Sequence, residues 1–165
     1  MSKKLALTET ISYVLGMYAH SPQEERASVA AESGSEVAIQ KFAEIALKEL
    51  GIEPNKILLS EKEGKHRAMF YNSKIRKLFD RALERKTKIF KYANAYAAQY
   101  VAGMYDSAGG INAKGLFFSG LDAADLLLLQ NVGIHGLDQG SKHYISNQTH
   151  FAAFIGAYSA KLPHK

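Results

Sequence analysis

The chain has 165 residues, enough for one domain with a proper core or for two intimately packed half-domains, and its 47% apolar and 22% charged content exclude a mainly disordered chain. It has no cysteine, which excludes disulfide staples and cysteine-based zinc sites and fits a reducing interior. The net charge of +5 lies wholly in residues 1–98, with 17 Lys+Arg against 12 Asp+Glu, whereas residues 99–165 hold 4 of each.

Lys3 and Lys4 imitate the start of a signal peptide, but Thr8, Glu9, Thr10 and Ser12 interrupt the apolar run that should follow. No stretch approaches the roughly 20 apolar residues of a membrane span, so no membrane is expected and the expected address is the cytoplasm. From about Leu5 to Ala19, Leu5, Ile11, Val14, Leu15 and Tyr18 recur at helical spacing, with Thr8 or Thr10 available as a cap. Ser21-Pro22 stops this helix. Arg26 to Ala31 is long enough for one strand. Ser33-Gly34-Ser35 then turns the chain, and Ser35 can cap a helix over Glu36 to Leu50, ended by Gly51.

Lys56 to Tyr71 reads as a hairpin about Glu63-Gly64-Lys65, and Asn72-Ser73 caps the next helix. That helix, Lys74 to about Tyr92, carries Ile75, Leu78, Phe79, Ala82 and Leu83 on one face, with a bend or break expected around Lys86-Thr87. Between Lys62 and Lys91 stand 11 basic residues (Lys62, Lys65, Arg67, Lys74, Arg76, Lys77, Arg81, Arg85, Lys86, Lys88 and Lys91) against Glu63, Asp80 and Glu84, which points to an anionic partner on one side. Phe70, Tyr71, Phe79, Phe90 and Tyr92 interleave with them, as core packing or base stacking would both require.

A further helix begins near Asn94 and contains Tyr100–Tyr105, which repeats five of the six residues of Tyr13–Tyr18 at an offset of 87 residues. Gly109-Gly110 ends it, Ile111–Gly120 offers a strand or a very short hairpin, and Asp122 caps a helix carrying Leu126 to Leu129. Asp122 and Asp125 both suit the positive end of that helix. Gly133 ends it as Gly51 ends its counterpart. A compressed hairpin follows across Asp138-Gln139-Gly140, and Asn147 caps a last helix with Phe151, Phe154, Ile155 and Tyr158 on its apolar face.

The block Val101, Ala102, Gly103, Met104, Tyr105, Asp106, Ser107, Ala108 and Gly109 resembles the motif of the LAGLIDADG homing endonucleases, letter by letter. The first copy aligns as Val14 to Pro22. The resemblance implies two motif helices packed along a pseudo-two-fold axis, so that Gly16 and Gly103 mark a close helix crossing. It also implies an acidic residue at the eighth letter of each copy, binding the catalytic divalent metals, but those positions hold Ser21 and Ala108. Family members read DNA with a long twisted β-ribbon from the first hairpin of each unit, and here that ribbon is missing or stunted. The expected fold is α/β, one compact domain of two pseudo-symmetric α-β-α-β-β-α repeats, 1–92 and 93–165, with about three strands in each sheet.

Two-metal phosphodiester hydrolysis needs converging carboxylates. Asp106, the sixth letter, is read as hydrogen-bonded near its helix end in preference to an isolated metal ligand, and the first copy has Ala19 there and His20 at the normally small seventh letter. The six histidines (His20, His66, His135, His143, His150 and His164) show no ligand spacing and are read as scattered surface or half-buried side chains. The preferred reading is a non-catalytic nucleic-acid-binding protein, with DNA the expected ligand and no metal or cofactor. Its contacts are expected at Lys65, Arg67, Lys74, Arg76, Lys77, Arg81 and Arg85. One alternative is a protein-interaction or structural module forming a homo- or hetero-oligomer through the second repeat. Another is a nuclease with a metal site relocated to Glu24, Glu25, Glu32 and Glu36.

Overall fold

The computed structural model describes residues 6–24 and 27–162. Leu5, Glu25, Arg26 and His164 fall outside these; the first helix starts at Glu9 and the first strand at Ser28, later than the expected Leu5 and Arg26. Helix α1 (Glu9–Ala19) is capped by Thr8, whose hydroxyl accepts from Ile11 N at 3.1 Å. Strand β1 (Ser28–Ser33) leads through Ser35, the cap of α2 (Glu36–Lys48), to the hairpin of β2 (Leu58–Lys62) and β3 (Lys65–Tyr71). Glu63 and Gly64 between these strands have φ of 53° and 80°, the double positive φ whose twist matches a two-residue hairpin.

Asn72 caps α3 (Ser73–Glu84), and Arg85 breaks the helix with φ −117° and ψ 16°, slightly before the expected bend. A single turn, α4 (Lys86–Ile89), then crosses to α5 (Ala95–Ala108). The second half continues with β4 (Gly109–Asn112), β5 (Gly115–Ser119), α6 (Ala123–Asn131), β6 (Gly136–Gln139), β7 (Lys142–Ile145) and α7 (Gln148–Ile155). The very short hairpin anticipated between motif and second helix is therefore formed, and this half reads α-β-β-α-β-β-α.

Both sheets are antiparallel, ordered β1-β3-β2 and β4-β5-β7-β6. Strands β1 and β5 occupy equivalent places, each beside the return strand of a later hairpin, and β4 is the strand whose counterpart is absent from the described residues of the first half. The expected fold class holds, with four strands rather than three in the second sheet. Asn147 does not cap α7 through its side chain: its Oδ1 accepts from His135 N at 2.9 Å and its Nδ2 donates to Gly133 O at 2.7 Å, tying the helix start to the preceding loop instead.

One apolar core spans both halves, and the pair α1 and α5 runs through it. The helices cross at Gly16 and Gly103. A methyl on Gly16 would overlap the Tyr100 carbonyl oxygen and lie 2.9 Å from Met104 N, and one on Gly103 would overlap the Tyr13 carbonyl oxygen and lie 3.0 Å from Met17 N. The obstacle is backbone, which cannot swing aside, so the crossing needs both glycines. Gly16→Ala and Gly103→Ala should each destabilise the protein by about 2 kcal/mol or more through overpacking, although alanine is the better helix former by about 1 kcal/mol. Chemical denaturation measures this, and a gain in stability from either change would contradict the close crossing.

Candidate nucleic-acid interface

The motif helices end side by side at Ser21 and Ser107, whose hydroxyl oxygens lie 3.4 Å apart, and Ser21 Oγ donates to Met17 O at 2.6 Å. Asp106, the one carboxylate of the two motifs, is fully buried and turned inward. It accepts from Tyr13 Oη at 2.5 Å, Ser159 Oγ at 2.5 Å, Ala160 N at 2.8 Å and Lys161 N at 3.2 Å, so it holds the segment after α7 against the helix pair. Burial, and then the Asp106 charge, push the Tyr13 hydroxyl pKa well above its usual value.

The repeat is broken at this point. Tyr100 is the counterpart of Tyr13, but Ala19 stands opposite Asp106, and the Tyr100 hydroxyl is buried without a hydrogen-bond partner among the described residues. Nearby His20 fills the seventh letter of the first motif. Its Nδ1 lies 3.2 Å from Gly16 O and its Nε2 3.1 Å from Asp125 Oδ2, so both ring nitrogens face oxygen atoms. Asp125 also accepts from Lys86 Nζ at 2.8 Å and from Asp122 N at 3.1 Å within the capping box of α6.

Lys86 thus departs from its expected setting. His20 is half-buried, as one of the two expected settings has it, but it is joined to Asp125, and Lys86 is withdrawn from the basic run into a buried ion cluster. Burial alone would raise the Asp125 pKa, but His20 and then Lys86 hold it well below the usual carboxylate range.

Glu24 and Glu32 are engaged by Arg67, at 3.8 and 3.2 Å, and Glu36 lies in the first turn of α2. Among the described residues no three acidic or histidine side chains are grouped so as to hold a metal ion.

The outward edge of β1, where a partner of the β4 kind would pair, is occupied by side chains. Arg76 Nη1 donates to Ser28 O at 2.8 Å, Gln23 Nε2 donates to Ala30 O at 3.0 Å, Ala30 N donates to Gln23 Oε1 at 2.9 Å, and Glu32 N donates to Ser21 Oγ at 2.9 Å. The Gln23 carboxamide therefore acts as one residue of a strand. Nothing in the composition of Ser21-Pro22-Gln23 signals this.

The seven expected contact residues divide into three groups. Arg67 is only 14% exposed, donating to Glu32 and to Pro22 O, and Arg76 is half-buried between Ser28 O, Asp80 and the Tyr18 ring. Lys65 is exposed on the outer face of the first sheet, 3.7 Å from Glu32. Lys74, Lys77, Arg81 and Arg85 are all exposed along α3, opposite the buried Ile75 and Phe79, and no ion pair holds them among the described residues. Of the interleaved aromatics, Phe70, Phe79 and Phe90 are core, while Tyr71 and Tyr92 are exposed.

Two helices crossing at paired glycines, each followed by a small antiparallel sheet, make up a LAGLIDADG-like fold, and solved structures bear this out. A structure of mesophilic variants of the homing endonuclease I-DmoI matches with a TM-score of 0.69 and 16% identity over 90% of this chain and 96% of that one. I-DmoI in complex with DNA and manganese gives 0.68 and 17% over 93% and 98%. The N-terminal LAGLIDADG domain of DUF199/WhiA gives 0.64 and 15% over 95% and 83%. No protein-family model and no curated protein matches the sequence.

Two outcomes follow from the broken symmetry. Tyr13→Phe should cost about 1–3 kcal/mol by leaving buried Asp106 short of a donor, whereas Tyr100→Phe should be neutral or stabilising because it removes a hydroxyl with no partner. Equal losses in urea denaturation would refute the difference. Asp125→Asn should cost about 3 kcal/mol at neutral pH by taking the buried charge partner from Lys86 and weakening the contact with His20. Since the folded-state pKa of Asp125 is depressed, its contribution is complete above the ordinary carboxylate range and is lost as pH falls below it, so the gap between wild type and variant should close on acidification.

Proposed function

We propose that the protein is a non-catalytic, LAGLIDADG-like nucleic-acid-binding protein formed by duplication, residues 1–92 and 93–165, that grips phosphates through its first half. The carrying observation is the row of Lys74, Lys77 and Arg81 on α3 and Arg85 at its C-cap, all exposed and without carboxylate partners among the described residues. Residues at three- and four-residue spacing share a helix face, and such a row follows a phosphate backbone. A structural neighbour solved with DNA supports the ligand class. Lys65 extends the basic surface on the hairpin, while Arg67 and Arg76 shape the sheet that carries it.

Ser21 and Ala108 at the motif-helix ends support the non-catalytic reading, because neither side chain can neutralise a metal ion beside a scissile phosphate. Asp106 does not substitute for them, since both of its oxygens are committed to donors from Tyr13, Ser159, Ala160 and Lys161.

A second reading has one surface in its favour. Between α2 and the β2–β3 hairpin lies an apolar groove floored by Ile39, Ala43, Leu47 and Leu59 and rimmed by Glu36, Glu44 and Glu61, which suits a protein segment better than a polyanion. It lies in the first half, not in the second where an oligomer contact is anticipated from charge alone.

Phosphate contacts carry no base information, so binding should show little sequence preference and fall with salt, each neutralised phosphate adding about 0.9 to the slope. Lys77→Ala with Arg81→Ala should weaken binding to all sequences alike and flatten that slope by about two units. Titration of labelled duplex and single strands at several salt concentrations decides. No binding at low salt, or binding indifferent to the double substitution, would transfer the case to the groove and a protein partner.

A further inference from the structure

The second half is neutral by count, but its charges are sorted by position. Asp106 is in the interior, Asp122 and Asp125 are at the start of α6, and Asp138 pairs with His143 at 2.7 Å, on the side of β7 that Phe118 shares. Strand alternation puts a different set on the outer face of this sheet. Phe117 stands opposite Tyr144, which stands opposite Leu137, and Ser119 stands opposite Lys142 and then Gln139. With Lys114 from the β4–β5 turn, this face carries two lysines and no carboxylate among the described residues.

The two rings are neighbours on this face, their planes 55° apart. Gly110 is the cross-strand partner of Phe117, and a methyl there would come 2.6 Å from Phe117 Cζ, so the phenyl ring rests on the glycine backbone. Tyr144 lies beside it, ring centres 5.6 Å apart, with its hydroxyl accepting from Asn112 Nδ2 at 2.9 Å. Lys142 Nζ is 5.0 Å from the Phe117 ring centre and Lys114 Nζ 5.8 Å from that of Tyr144. Both rings are half-buried, and neither contributes to the core cluster. Leu137, 68% exposed, extends the row.

We propose that this face is a stacking platform for unpaired nucleotides, with Phe117 and Tyr144 each receiving a base and Lys114 and Lys142 meeting the phosphates on either side. Two aromatic rings on a sheet face, each with a mobile lysine ammonium over it and no carboxylate on that face among the described residues, complement a strand whose bases are apolar on their faces and whose backbone is anionic. A duplex does not fit: its base faces are covered by their neighbours and only edges open into the grooves. The β4–β5 hairpin, with strands of four and five residues, is also too short to enter a groove. The inference rests on the nucleic-acid reading above, but on other residues. It adds a preference for single strands that α3 alone does not supply.

The chain has no tryptophan, so Phe117→Trp places a lone indole in the platform. Unstructured oligo-dT and oligo-U of about ten residues, within the range of single-strand site sizes, should quench its emission, while a duplex should not. The two strands separate DNA from RNA as the source of the bases. Phe117→Leu combined with Tyr144→Leu should lower single-strand affinity about tenfold or more, leave duplex affinity within about twofold and keep the wild-type thermal midpoint within a few degrees. Unquenched emission together with unchanged single-strand affinity, while binding that depends on Lys77 and Arg81 persists, would overturn the platform and spare the proposed function. Quenching by duplex equal to that by single strands would overturn the preference. No nucleic-acid binding by the wild type at low salt would overturn both.

Discussion

Two α-helices reach backbone contact only where neither carries a side chain at the crossing, and the rest of this molecule is arranged about one such contact. Gly16 and Gly103 each place a bare Cα against the opposite helix, facing the carbonyls of Tyr100 and Tyr13. Because the contact is reciprocal, it fixes the helices in translation as well as in distance. The residues around it, Tyr13, Met17, Tyr100 and Met104, are consequently buried on all sides, and each half hangs its sheet from the end of its own helix. A shift along either helix would drive the next side chain into backbone, so the placement of both sheets follows from two missing methyl groups.

The polar groups around the axis do not obey the same symmetry. On one side Asp106 gathers four donors and binds the segment after α7; on the other, Tyr100 keeps a hydroxyl unmet among the described residues and Asp125 joins His20 to Lys86. These fastenings differ in physical kind. The first hydrogen-bonds a carboxylate to neutral donors. The second is an ion cluster uniting α1, the single-turn connector α4 and the capped start of α6, three elements far apart in sequence. Lys86 therefore fixes the passage between the halves, which explains why the helix is interrupted just before it: the turn at Arg85 is what brings the ammonium inward.

What sequence reading captured was local. Thr8, Ser35, Asn72 and Asp122 cap their helices as their hydrogen-bonding chemistry suggests, the Glu63-Gly64 turn is where positive φ is cheapest, and the repeated glycines mark the crossing. The missed features are those in which a side chain is used by something distant. Arg67, Arg76 and Lys86 look like members of one cationic run, and spacing cannot show that five carboxylates (Glu24, Glu32, Asp80, Asp122 and Asp125) and two backbone carbonyls have already claimed them. His20 finds Asp125 across 105 positions, beyond any periodicity. The outer face of the second sheet was partly legible, since Gly115, Phe117 and Ser119 alternate with Leu116 and Phe118, but the partners that make it a surface, Tyr144 and Lys142, are supplied by a separate hairpin.

A sheet edge is a row of unspent donors and acceptors, and proteins usually guard it with charge, a bulge or a covering segment. The first sheet does so at β1 with single side chains, and the Gln23 carboxamide presents the same donor and acceptor pair as a peptide group. A strand can therefore be absent there without leaving the sheet sticky. The guard is also removable: shortening Gln23 would bare the Ala30 amide and carbonyl, and the most available complement is another extended segment, including the same edge of a second molecule. On this view one carboxamide separates a closed unit from a sheet able to grow.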